Sequence, residues 1–229
     1  MVKLTIIVTV YNEKDTIIRA IEEAKAISLD KEVIVVDNCS TDGTKELLMN
    51  LEDPSIKIVY QPKNYGYGMS VLTGMNLAKG EFLFVHNSDL EYDTECVYRM
   101  LKLAEDEKLD AIFGSRLLSR TSESRIKVLK ERPFYLGTMI IAGLINNFYN
   151  KNFTDVIGNR FYRTAALRKI NPTEKGISFD FEVVSKLCKC QFKILEVLIK
   201  YSPRVEGKKI KIYDIVPALL TILRIKVFG

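Results

Sequence analysis

The chain has 229 residues, enough for one large domain or one domain with a small extension. Hydrophobic residues make up 47% and charged residues 28%, a globular balance that excludes a disordered chain. The net charge is +5, and +4 of it falls between Arg204 and the end, which points to an anionic partner such as phosphate or a membrane surface.

Residues 4 to 10, LTIIVTV, are continuously apolar and β-branched, so they predict a strand buried on both faces. Asp15 or Thr16 is placed to cap a helix with Ile17, Ile21 and Ala24 on one side. Glu32 to Val36 predicts a second buried strand, ending in DNCSTDGT, whose Ser40 to Thr44 read as the N-cap of the helix TKELLMNL. A third strand, Ile56 to Tyr60, leads through a Gly-punctuated loop to a helix with Val71, Leu72 and Met75 inward. Glu81 to Val85 predicts a fourth strand, Asp93 or Thr94 caps a helix to about Lys108, and Asp110 to Phe113 predicts a fifth. Beyond residue 115 the pattern is less regular. It predicts a basic loop, a helix from Pro133 to about Tyr149, a short strand and helix at 160–170, a helix at 180–190, a strand over Phe192 to Tyr201 and a terminal helix from about Tyr213. Strands alternating with helices over short connections imply an α/β fold with a doubly wound, mostly parallel sheet.

Four scattered cysteines, Cys39, Cys96, Cys188 and Cys190, form neither a disulfide framework nor a zinc pattern, and reduced thiols imply the cytosol. The longest apolar stretch, Phe134 to Leu144, falls short of the roughly 20 residues that span a bilayer. The N-terminus has one Lys, a short apolar run and no small-residue cleavage site, and is read as the first strand.

In an open α/β sheet, ligands sit at the carboxyl ends of the strands. Those ends carry Tyr11-Asn12-Glu13, Asp37-Asn38, Asn64 to Gly68, and Asn87-Ser88-Asp89, an edge rich in carboxylates and amides. No G-x-G-x-x-G follows the first strand and no Walker loop occurs, so a dinucleotide site is excluded.

The segments TIIVTVYNEKDTI, VIVVDNCSTDGT, NYGYGMSVLTGMNLAKGEFLFVHNSDLEYD and IFGSR resemble, in order, the signatures of inverting family 2 glycosyltransferases of GT-A fold. FDFEVVSKLCKC, ILEVLIKYSPR and EGKKI resemble the branch containing dolichyl-phosphate mannose synthases and polyprenyl-phosphate glycosyltransferases. The resemblance implies a GT-A domain over 1–205 and a basic C-terminal segment over 206–229. It implies hexose transfer from a GDP- or UDP-hexose to a polyprenyl (dolichyl-type) phosphate, with Mg or Mn. A glycosyltransferase using a glycan or other hydroxyl stands as the alternative, as does a non-catalytic nucleotide-sugar binder.

By the same resemblance Tyr11, Asn12, Glu13, Asp37, Asn64, Gly66, Gly68, Ser88 and Arg204 face the donor, and Asp89, Arg116, Arg132 and Asp155 serve the reaction. In the family, D-x-D holds a divalent cation against the donor's phosphates. Here the first Asp is Asn87, so Asn87, Asp89 and Glu91 are expected to form a weakened metal site, because an amide oxygen coordinates without formal charge. His86, the only histidine, is expected to be structural. A phosphate acceptor, largely ionised near neutral pH, needs cations such as Arg116 and Arg132 and no general base. A hydroxyl acceptor would need one, and Asp155 or Asp180 are the candidates. TDVIGNRFYR is one residue short of the family's D-x-x-[ST]-G-x-R. Ile212, Val216, Leu219, Leu220, Leu223 and Val227 make one apolar face flanked by Lys and Arg, the pattern of a helix lying in a membrane interface. The expected place is thus peripheral, on the cytoplasmic side of a membrane. A helix packed on the domain or on a second copy (a homodimer) is the alternative. Basic residues interleaved with an apolar helix, without stacking aromatics, argue against nucleic acid.

Overall fold

A computed structural model describes residues 2–118, 134–202, 204 and 215–228. The apolar run at the start forms β1 (Leu4–Val10), buried along its whole length, and α1 (Ile17–Ala26) returns the chain to β2 (Lys31–Asp37). Then follow α2 (Thr44–Met49), β3 (Ile56–Tyr60), α3 (Tyr67–Leu77), β4 (Phe82–Asn87), α4 (Cys96–Asp106) and β5 (Ala111–Ser115). The remainder comprises α5 (Phe134–Tyr149), β6 (Arg160–Arg163), α6 (Thr164–Lys169), α7 (Phe179–Lys189), β7 (Ile194–Leu198) and α8 (Ile215–Phe228).

The strands form one sheet in the order β3-β2-β1-β4-β6-β5-β7. β3, β2, β1 and β4 are mutually parallel, as are β5 and β7, while β6 runs antiparallel between β4 and β5. The mostly parallel sheet expected from the sequence is present, with one reversed strand. The chain winds outward from β1 to β3, then crosses back to β4 on the other side of β1. The strand order therefore reverses between β1 and β4, and that reversal opens a crevice at their carboxyl ends.

Each face of the sheet carries its own apolar cluster. Ile6, Val8, Val33, Val35, Phe82 and Phe84 pack with Ile17, Ile21, Val97 and Met100 of α1 and α4. Ile7, Ile34, Leu83 and Val85 pack with Val71 and Met75 of α3, Ile141 and Ile145 of α5, and Val183, Val184 and Leu187 of α7. Ala218 and Ile222 of α8 belong to that same cluster, so the terminal helix is seated on the domain. Among the described residues no helix is long and apolar enough to cross a membrane, and the four cysteines are free.

Candidate active site

Register brings the expected residues to one edge. Val10 pairs with Asp37 and Thr9 with Asn87, so β1, β2 and β4 all end at the crevice. Asn12, which leaves β1, adopts the left-handed region at φ 52°. Its side-chain oxygen accepts from the Thr41 N–H at 2.8 Å, and its own N–H donates to the Ser40 hydroxyl at 2.9 Å. The Glu13 N–H donates to the Thr44 hydroxyl at 3.0 Å. The cap expected from Ser40 to Thr44 is present in another form: the N-cap itself is Gly43 at φ 101°, without a side chain, and Asp42 Oδ1 accepts the Thr44 N–H at 3.0 Å. Ser40 and Thr44 instead hold the 11–13 loop.

Asp37 is fully buried and accepts from the Ser40 N–H at 3.2 and 3.3 Å. Asn38 donates to Asn64 at 2.9 Å and accepts from the Tyr65 N–H at 2.9 Å, while Asn64 accepts from the Gly66 N–H at 2.9 Å. This amide chain fixes the loop after β3. Gly66 lies at φ 95°, and a Cβ there would meet the Lys175 carbonyl at 2.6 Å. One on Gly68 would meet the Glu174 carbonyl at 2.5 Å and Phe179 Cβ at 2.6 Å. The backbone of residues 174–176 therefore makes the close approach these glycines permit, and the Met69 N–H bonds Lys175 O at 2.9 Å.

At the end of β4, Asn87 Oδ1 accepts from the Thr9 hydroxyl at 3.3 Å. Ser88 is buried, its N–H bonded to Thr9 O at 3.2 Å. Asp89 accepts the Glu91 N–H at 3.2 Å, and burial, more than its neighbours, raises its carboxyl above the usual range. Glu91 is heavily engaged: one oxygen accepts the Tyr201 hydroxyl at 3.0 Å, the other the Arg204 N–H at 3.1 Å. The Arg204 guanidinium reaches across to Glu13, with Nη1 at 2.9 Å from both carboxylate oxygens. Among the described residues no three His, Cys, Asp or Glu cluster as a metal cage. Asn87 and Asp89 do offer one amide and one carboxylate oxygen beside the crevice, the sparse set magnesium uses when substrate phosphates complete its shell. His86 points elsewhere. It is buried, with Nε2 3.9 Å from Glu23 of α1, and burial pushes its pKa down to about 4.

On the other flank, Arg116 and Asp155 form a two-pronged pair, Nε to Oδ2 at 2.5 Å and Nη2 to Oδ1 at 3.0 Å. Asp155 is fully buried and also accepts the N–H of Arg116 at 3.2 Å and of Ile157 at 3.1 Å. The guanidinium lies over the Tyr201 ring, 5.2 Å from its centre, and so joins the Glu91 network. Gly158 packs directly on the Gly114 carbonyl, a contact no side chain at 158 would allow, so the shortened D-x-x-G-x-R run still docks on the GSR turn. Arg132 lies outside the described residues.

Residues 5–171 match the family description "Glycosyl transferase family 2". The chain belongs to that family. A low-salt glycan biosynthesis hexosyltransferase of Haloferax volcanii is 26% identical over 209 residues, 90% of this chain and 49% of its own length. An undecaprenyl-phosphate 4-deoxy-4-formamido-L-arabinose transferase of Proteus mirabilis is 28% identical over 111 residues, 45% of this chain and 34% of its own. The chain spans about half or less of the curated relatives it matches. The crystal structure of glucosyl-3-phosphoglycerate synthase from Mycobacterium tuberculosis, with Mn2+, UDP and glucosyl-3-phosphoglycerate, superposes with a TM-score of 0.72 at 14% identity, covering 99% of this chain and 81% of that one. The architecture is the GT-A fold of this family.

Beneath the family 2 crevice lies a cluster whose extent the sequence reading missed. Arg160, at the start of β6, pairs with Asp180 of α7 at 2.5 Å and sits 5.4 Å from the centre of the Tyr67 ring. Both charged groups are fully buried, and burial lifts Asp180 to about 6 despite the guanidinium. Among the described residues, Arg160 Nε, Asp180 Oδ1 and the hydroxyls of Tyr67 and Tyr162 have no hydrogen-bond partner. A signal was present: Arg and Asp inside otherwise apolar elements must find each other.

Proposed function

We propose that this family 2 glycosyltransferase moves a hexose from a nucleoside-diphosphate sugar to a polyprenyl phosphate with inversion. An acceptor phosphate oxygen would attack the anomeric carbon as the bond to the donor's diphosphate breaks on the opposite face. Arg116 carries this reading. Both oxygens of Asp155 hold that guanidinium, so the carboxylate is committed to orienting a cation and is badly placed to take a proton. Such a flank suits an anionic acceptor, which brings its own nucleophilic charge, better than a neutral hydroxyl, which needs a base. The relative named for undecaprenyl-phosphate supports the same acceptor class.

Tyr11, Asn12, Asp37 and Asn64 would meet the base and ribose, with Gly66, Gly68 and Ser88 shaping that loop and edge. Arg204, paired with Glu13, would exchange part of that contact for the diphosphate, with Arg132 as a further acceptor cation. Asn87 and Asp89 would hold a divalent cation, with Glu91 orienting the turn. Bound there, such a cation supplies charge neutralisation to the departing nucleoside diphosphate. Mn2+ in the structural neighbour supports a divalent metal. The lipid acceptor places the protein peripherally at the cytoplasmic face of a membrane.

The test offers UDP- and GDP-hexoses with Mn or Mg to a short-chain polyprenyl phosphate and, separately, to the matching alcohol and a glycan. Transfer to the phosphate alone is expected, lost in Asp89→Ala while thermal unfolding stays unchanged. Transfer to a hydroxyl without phosphate would sink the reading. Donor binding without turnover on any acceptor would leave a nucleotide-sugar binder.

A further inference from the structure

The terminal helix has two apolar faces. Ala218, Ile222 and Ile225 face the core, while Val216, Leu220, Leu223 and Val227, four of the residues in the predicted interfacial stripe, stand in solvent. Beside it, Leu136 and Ile140 of α5 are likewise exposed, at 52% and 50%. The helices meet at Gly137, where a Cβ would be 2.7 Å from the Ile215 side chain. Of the twelve large apolar side chains exposed among the described residues, seven lie on these two helices. A concentration of that kind marks an interaction surface.

The geometry points to one docking surface, formed jointly by α5 and α8, for an anionic lipid bilayer. Charge is the first reason. Lys151, Lys189 and Lys226 line a single cleft where α5, α7 and α8 end, and among the described residues no carboxylate side chain lines it. Lys226 donates to Phe148 O at 2.6 Å and Lys189 to Ile225 O at 2.9 Å, so both also serve helix ends. Three helix C-termini carry roughly −0.5 each against three ammonium charges, which leaves the cleft positive. The second reason is chemistry. The stripe is aliphatic, with Phe228 at its tip, whereas protein interfaces draw their energy from Trp, Tyr and Arg, with Leu and Val under-represented. Leu and Phe on one side with Lys at the rim is the composition of helices that lie in a headgroup layer.

The surface is tied to the crevice. Arg224 bonds Glu174 at 2.7 Å, and the backbone of Glu174 is what packs on Gly68. A bilayer holding α8 would thus hold the start of α3, where the loop after β3 ends. This inference rests on the lipid-phosphate reading only for choosing a membrane as occupant, and its test needs neither donor nor acceptor.

The full chain is sedimented with phosphatidylcholine vesicles and with vesicles containing phosphatidylglycerol. Binding to the anionic vesicles, weakened by salt, is expected. Ile140→Asp on α5 and Leu220→Asp on α8 should each lower the bound fraction about tenfold or more, because each removes an exposed aliphatic chain that the bilayer would bury and adds a charge. Ile140→Leu should bind normally, and so should Met49→Asp, at an exposed apolar position on α2. Circular dichroism melts establish that the variants fold. Loss in Leu220→Asp alone would overturn the joint surface, and equal binding to both vesicle types would overturn the charge argument. A concentration-dependent dimer abolished by the same two variants, with no vesicle binding, would assign the face to a second copy. Vesicle binding without lipid-phosphate transfer would sink the acceptor reading and leave the surface standing.

Discussion

The two flanks of the crevice are built from different forces. The β1–β2–β3 flank is stitched mainly by amides and hydroxyls, with Asp37 its one buried carboxylate among the described residues: Asn12 with Ser40 and Thr41, Asn38 with Asn64 and Tyr65. The β5–β6–β7 flank is stitched by ion pairs: Arg116 with Asp155, Arg160 with Asp180, and Arg204 reaching back to Glu13. Neutral hydrogen bonds fix a surface without giving it charge. Each ion pair is neutral as a whole, but the carboxylate holds its guanidinium in place, a planar fork whose geometry matches phosphate. One edge of a single sheet thus offers a wall held mainly by amides and hydroxyls and a wall held by ion pairs.

The charged flank should be the more fragile. Arg160→Met leaves Asp180 buried without its counter-charge and should cost about 3–5 kcal/mol at neutral pH. Burial already sets Asp180 near 6 in the folded protein, above its ordinary 3.8, and losing Arg160 moves it higher. The folded variant therefore takes up its proton before the unfolded chain does, and its deficit should shrink as pH falls from 7 to 5. Denaturant unfolding at both pH values checks this; an equal deficit at both would mean that Asp180 is not the group responsible.

The next effect reads on turnover. Arg116→Ala should lower transfer to a lipid phosphate about tenfold to hundredfold, since a charge-assisted contact is worth roughly 1.5–3 kcal/mol. Asp155→Asn, which keeps one side-chain oxygen for the backbone N–H of Arg116 or Ile157 but weakens the hold on the guanidinium, should cost less. Steady-state rates on the two variants decide it, and the opposite order would make Asp155 a base.

On the neutral flank, Gly68→Ala drives a methyl group against Glu174 O and Phe179 and should cost about 1–3 kcal/mol. Asn38→Ala deletes two bonds of the amide chain, at about 1–2 kcal/mol. A loss in Asn38→Ala as large as in Arg160→Met would erase the contrast between the flanks. The smallest effect is expected at Asn87→Asp, which adds a second carboxylate beside Asp89. The Mn or Mg concentration for half-maximal activity should fall, because affinity for hard cations follows ligand charge. An unchanged or higher requirement would remove Asn87 from the metal site.

The same contrast explains what could be read in the sequence. Parallel strands buried on both faces write themselves as unbroken apolar runs, so β1 to β5 were legible within a residue or two. The turn residues of the neutral flank lie close to the strands they follow, and their chemistry was legible with them. The partners of the charged flank were not. Arg116 and Asp155 are 39 residues apart, and Glu13 and Arg204 are 191 apart, distances at which no periodicity connects them. Gly66 and Gly68 announced a close approach without saying by what; residues 174–176 make it. The exposed side of α5 was hidden for another reason: Phe134 to Leu144 contains no charged residue to distinguish its solvent face from its core face.

The reach of Arg204 to Glu13 also has a consequence for synthesis. A chain made from its N-terminus, at roughly 5–20 residues per second, presents β1 to β4 long before residue 204 is added. Until then Glu13 and Glu91 sit at the crevice without the guanidinium that lies between them in the finished protein. A residue made late thus supplies the counter-charge for two carboxylates made early.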